Sequence, residues 1–121
     1  MMRIEDWLGK DNKLGIDIWY KKNRYKNETF DEWLDRVSGG NAELRQLIAE
    51  KKFLFGGRTL ANRGTNKKGS CSNCYSRGFV EDNLDDILQA NTDIGKTFKF
   101  QGGQGISLSK IRPKGCGINN D

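Results

Sequence analysis

The sequence predicts a mixed α/β chain with a helical first half, and three observations carry that prediction. Thr29-Phe30-Asp31-Glu32 reads as a capping box, after which Phe30, Trp33, Leu34 and Val37 share one helical face. Asp82-Asn83 caps a further helix with Leu84, Ile87, Leu88, Ile94 and Phe98 on one side. Ile106 and Leu108 alternate with serines ahead of Pro113, the period of two expected of a strand.

In chain order, Ile4, Trp7 and Leu8 and then Ile18 and Trp19 predict one or two short amphipathic helices, interrupted near Gly9 and Gly15. The capping-box helix follows and ends at Gly39-Gly40, because glycine closes a helix in the left-handed conformation without the steric cost of a Cβ. Asn41 caps the next helix, in which Leu44, Leu47, Ile48 and Lys51 keep three-four spacing, and Phe53, Leu54 and Phe55 close the segment. From Gly56 to Ser70 the chain is rich in Gly, Asn, Lys and Arg, which predicts irregular backbone suited to anion contacts or to an ordinary surface loop. A short strand is expected around Asn73 to Phe79. The expected division is a helical region over residues 1–55 and a second region over 56–121.

Charged residues make up 31% of the 121 and hydrophobic ones 35%, which limits the apolar area available for a core and predicts marginal stability. The formal charge of +5 favours polyanionic partners, while runs such as Lys21-Lys22 and Lys51-Lys52 also suit a solvated basic face. No stretch has the length of a transmembrane span and Met1-Met2-Arg3 opens no apolar signal region, so no membrane association and a cytoplasmic location are expected. Three cysteines are an odd number, unlike the even framework of a small secreted domain, and any disulfide is expected to be catalytic and transient.

The chemistry concentrates in two motifs. Gly69-Ser70-Cys71-Ser72-Asn73-Cys74-Tyr75 holds two thiols, and the run from Gly102 to Gly115 holds a glycine loop followed by a basic strip. Glycines at 102, 103 and 105 free backbone amides and let a nucleotide approach the main chain, although each alone also suits a tight turn. Lys110, Arg112 and Lys114 recur at every second residue, which on an extended strand aims three cations to one side, an arrangement that suits a triphosphate or an ordinary solvated basic strand. Zinc at Cys71 and Cys74 is disfavoured, because structural zinc takes four Cys or His ligands and the chain has three cysteines and no histidine. No metal is therefore expected. A thioredoxin-like pair is disfavoured as well, since no strand-then-helix pattern places Cys71 at a helix start.

Together with the run from Phe55 to Thr65, these motifs in this order resemble the catalytic subunit of ribonucleotide reductase, most closely its adenosylcobalamin-dependent class. The likeness extends from Thr29 to about Gly115. It implies a fold in which a helical amino-terminal segment leads into the first strand and helix of a ten-stranded α/β barrel, so that residues 56–121 begin the catalytic barrel. A complete subunit is several times longer, and many carry an amino-terminal ATP-binding cone, which is expected to be lacking here.

The resemblance implies that Cys74 is the redox-active thiol, working beside the ribose and ending in a disulfide with a cysteine much later in the complete chain. Cys71 and Cys116 match nothing required. Gly57, Arg58, Thr59, Asn73, Cys74 and Gly103 fall at substrate-binding positions, with Gly57-Arg58 standing where the family usually has Ser-Pro or Thr-Pro. Asp82, Lys110 and Arg112 fall at the site of a deoxynucleotide or ATP effector, and the helix from Leu84 to Phe98 at a dimer contact. The implied partners are a ribonucleotide substrate, the effector, a second copy, and the rest of the barrel or a second subunit. Adenosylcobalamin is implied for the complete enzyme, not as a ligand of these residues, and the segment alone is expected to be inactive. Its apolar stripes are then expected to be exposed and loosely packed. The alternative is a small basic nucleic-acid-binding module, against which the aromatics fall mainly at core-like helical positions rather than among cations.

Overall fold

The computed structural model describes residues 1–118, which form two compact units, Met1–Asn73 and a second that starts at Cys74. The first unit is helical: α1 (Ile4–Leu8), α2 (Lys13–Ile18) running into a π-helical turn (Trp19–Asn23), α3 (Phe30–Ser38), α4 (Ala42–Ala49) and α5 (Gly57–Asn62). The second unit is β1 (Cys74–Phe79), α6 (Leu84–Lys99) and β2 (Gly103–Ser107).

Local signals set most helix ends. Thr29 accepts from the Glu32 amide at 3.2 Å while the Glu32 carboxylate accepts from the Thr29 amide at 2.7 Å, which completes the capping box of α3. Gly39 ends α3 at φ +64, and its amide donates to the carbonyls of Asp35 and Arg36. Asn41 caps α4 through the Leu44 amide, and Asn83 caps α6 through the Asp86 amide.

Four expectations are corrected. Gly15 lies inside α2 instead of interrupting it, because Asn12 caps the helix by accepting from the Gly15 amide at 3.0 Å. Lys51 is not on α4, which stops at Ala49, and Lys51 takes φ +60 beyond it. The stretch from Gly56 to Ser70 is not wholly irregular: Gly57–Asn62 forms α5, since Leu60 is drawn into the core at 6% exposure and Asn62 is buried. Burial here overrides a composition that reads as loop.

The fourth correction concerns packing. The stripe of α3 is not exposed, because Phe30, Trp33, Leu34 and Val37 are buried together with Ile4, Trp19, Ile48 and Leu60. Aromatic rings form the centre, with Phe30 stacked on Trp33 at 5.4 Å between centroids and Trp7 tilted against Phe30 at 5.3 Å. The Trp7 indole N–H donates to the Ala49 carbonyl at 3.0 Å. Arg36, almost fully buried, pairs with Glu28 at 2.8 Å and donates to the carbonyls of Asn23, Leu60 and Arg63, so its charge and donors are satisfied.

In the second unit β1 and β2 pair in parallel, which obliges the chain to cross over between them, and α6 is that crossover. Ala90 of α6 is buried at 3% exposure and Ile94 is partly buried, whereas Leu84, Leu88 and Phe98 stay 68%, 55% and 59% exposed, so the stripe is open at these three positions and partly covered at Ile94.

Candidate functional site

Gly57, Arg58, Thr59 and Asn73 belong to the first unit. The first three occupy α5, where the Thr59 hydroxyl donates to the Cys71 carbonyl at 3.0 Å and Asn62 Nδ2 donates to the Ser70 carbonyl at 2.7 Å. These two bonds tie the thiol-bearing loop to α5. Asn73 ends the unit with its amide nitrogen close to Gly56, 3.4 Å from where a Cβ would stand.

Cys74 opens β1 in the second unit as a free, exposed thiol, and Cys71 and Cys116 are free and exposed as well. Directly across the ladder from Cys74 stands Gly103, the first residue of β2. The parallel register therefore brings together two residues far apart in sequence at the amino ends of both strands. Gly102, just before, is buried, and a Cβ there would lie 2.7 Å from Tyr75 Cε2 and 3.0 Å from Thr97 Cγ2. The bulk missing at Gly102 thus makes room for Tyr75 and Thr97. Thr97 also donates to the Gln104 side chain, which joins the end of α6 to β2.

The basic strip departs from the expected strand. β2 stops at Ser107, and the chain then turns, with the Ile111 amide donating to the Leu108 carbonyl at 3.0 Å. The Ser109 amide donates to the Ser107 hydroxyl at 3.4 Å in place of a ladder partner, and Pro113 has no amide to offer one. Lys110, Arg112 and Lys114 are therefore not aligned along an extended strand. Arg112 and Asp82 nevertheless meet, Nε to Oδ2 at 2.8 Å, and Lys110 meets Glu81 at 2.5 Å.

Arg77, Asp86 and Asp93 carry a network that sequence reading missed. Ser76 pairs with Gly105 and Gly78 with Ile106, which leaves Arg77 as a bulge residue without a partner in the ladder. Its guanidinium reaches α6 and binds Asp86 at 2.7 Å and Asp93 at 2.9 Å. Two acids seven residues apart, two turns along one helix face, were the available signal. The Arg77 contact, seconded by the Glu81 amide, holds Asp86 below the ordinary carboxylate value of 3.8, and Arg77 followed by Gln89 does the same for Asp93. Both acids in turn raise Arg77.

Because the folded values are depressed, this network stabilises above pH 3.8 and is lost as pH falls through the lowered values. Arg77→Met returns both acids toward their ordinary range. The expected result is an acid transition of α6 at higher pH than in the wild type, read by far-UV circular dichroism; an unchanged transition overturns it.

Among the described residues, no group of three or more His, Cys, Asp or Glu could hold a metal ion, and no helix is long and apolar enough to cross a membrane.

A parallel strand–helix–strand unit with a thiol heading one strand and a glycine opposite it on the next defines this half of the chain as α/β with crossover topology. Residues 72–121 match the family model of the ribonucleotide reductase barrel domain. The chain is 31% identical over 77 residues to the ribonucleoside-diphosphate reductase large subunit of Vaccinia virus (strain Copenhagen), covering 64% of this chain and 10% of that protein. It is also 31% identical over 93 residues to the vitamin B12-dependent ribonucleoside-diphosphate reductase of Thermoplasma acidophilum, covering 71% and 12% respectively. The chain therefore spans about a tenth of the length of these relatives. Their equal identity to this chain does not choose between the B12-dependent class and the other.

Proposed function

We propose that this chain is the amino-terminal part of a ribonucleotide reductase catalytic subunit, in which residues 56–121 begin the catalytic barrel. The observation that carries this reading is the register pairing of Cys74 with Gly103, within the region that resembles the reductase barrel. The substrate is a ribonucleoside diphosphate, the class that the relatives' names state.

Cys74 is one of two reducing thiols. It and a cysteine outside these residues supply two electrons and two protons; the ribose 2′-hydroxyl leaves as water, the C2′ position gains hydrogen, and the two sulfurs end as a disulfide. Gly103 leaves space beside that thiol, while Gly57, Arg58, Thr59 and Asn73 bind the substrate. Asp82, Lys110 and Arg112 form an effector site, with Arg112 on the phosphates and Asp82 on the sugar hydroxyl. The exposed face of α6 at Leu84, Ile87 and Leu88 is the contact with a second copy.

Adenosylcobalamin would start a radical reaction in the complete enzyme. The residues here do not fit it: the chain has no histidine to offer the cobalt, and two cavities in the first unit, of about 140 and 270 Å³, are far smaller than a corrinoid. No step at these residues passes through that cofactor.

Arg112→Ala in the full-length enzyme is expected to abolish the change in base preference caused by effectors while sparing basal reduction. Measuring the reduction of four substrates with and without deoxynucleoside triphosphates checks it, and loss of basal reduction with a surviving effector response reverses the roles.

A further inference from the structure

Resting on the reading of Lys110 and Arg112 as effector cations, we propose that Glu81 and Asp82 are built-in competitors for them, so that a polyphosphate binds by displacing two carboxylates. Glu81 and Asp82 are neighbours at the entry to α6, and Lys110 and Arg112 stand two apart in the turn after β2. Two ion pairs link these segments, Lys110 Nζ to Glu81 Oε1 at 2.5 Å and Arg112 Nε to Asp82 Oδ2 at 2.8 Å. The Glu81 backbone is held in place on both sides, its amide donating to Asp86 Oδ2 at 2.7 Å and its carbonyl accepting from the Asn83 amide at 2.8 Å. Lys110 is steadied by the Phe79 ring, 5.1 Å from Nζ, and Arg112 Nη1 donates to the Gly117 carbonyl.

The paired side chains are between a third and just over half exposed, so each carboxylate is a weak partner that water already contests. A phosphate chain presents several charged oxygens to the same two donors and takes them by charge-assisted bonds. The exchange removes the acid from each cation and frees Asp82 to accept from a sugar hydroxyl. Glu81 thereby sets the affinity of a site whose other members do the binding. Each further phosphate strengthens the competition, which favours triphosphates over monophosphates.

The test is titration calorimetry of the full chain with inorganic tripolyphosphate, for the wild type and for Glu81→Gln, Asp85→Asn, Lys110→Ala, Arg112→Ala and the Glu81→Gln/Lys110→Ala pair. Asp85 carries the same charge in the first turn of α6 outside the two ion pairs. Glu81→Gln is expected to tighten binding about two- to fivefold. Asp85→Asn should have a smaller effect, and the gain from Glu81→Gln should vanish in the Lys110→Ala background. Equal gains from Glu81→Gln and Asp85→Asn overturn the exchange. Unchanged or weaker binding by Glu81→Gln, with Arg112→Ala abolishing it, also overturns the exchange and leaves the effector site standing. Absence of binding by both wild type and Glu81→Gln overturns the two together.

Discussion

If the proposed reductase role of Cys74 holds, Cys74→Ser in the full-length protein is expected to lower dithiol-driven turnover by about three orders of magnitude or more, roughly 4 kcal/mol of activation free energy. A serine hydroxyl fills the same place at the head of β1 but gives up no electron and forms no disulfide, so the two-electron step has no donor. Cys71→Ser is the paired control, because Cys71 lies in the loop held by Thr59 and has no register partner across the sheet. Product formation with an external dithiol is the measurement. Turnover near wild type in Cys74→Ser sinks the assignment, and a loss in Cys71→Ser alone transfers the role.

Trp33→Ala is expected to unfold or nearly unfold the first unit. Trp33 is 1% exposed, stacks on Phe30 and lies within 6.3 Å of both Trp7 and Trp19 between ring centroids. Deleting a buried ring of this size costs about 3–5 kcal/mol, a large part of the stability of a small domain. Trp33→Phe should cost far less, because it keeps an aromatic ring in the cluster and removes an indole N–H that is buried without an acceptor. Near-UV circular dichroism and urea unfolding of the two variants decide. Retention of the wild-type near-UV signal in Trp33→Ala would mean that this cluster does not organise the unit.

Much of the first unit was legible because its determinants are local. A hydroxyl at Thr29 with a carboxylate at Glu32, an amide side chain at Asn41, and a glycine at Gly39 act within one helical turn and need no distant partner. The same holds for Asn83 at the start of α6. The α5 helix was not legible, since Leu60 and Ala61 are neighbours that make no amphipathic run and it is the burial of Leu60 against distant helices that settles the matter. The basic strip was misread for a related reason. A spacing of two signals a strand only where neighbouring amides and carbonyls complete a ladder, and beyond Ser107 the Ser109 amide goes to the Ser107 hydroxyl and Pro113 has no amide to give.

For the candidate site, the sequence by itself determined which residue types are present and their order: the Cys74 thiol, the glycines near 103, and the charged residues Asp82, Lys110 and Arg112. Those are chemical identities, and motif spacing reports them directly. Only the tertiary structure decided that Cys74 faces Gly103 in register, that Arg112 meets Asp82 and Lys110 meets Glu81, and that Arg77 leaves the ladder to bind Asp86 and Asp93. Each of those pairings spans a crossover or a bulge. Their geometry is set by the parallel register of two strands and the packing of α6 on them, which no window of neighbouring residues encodes.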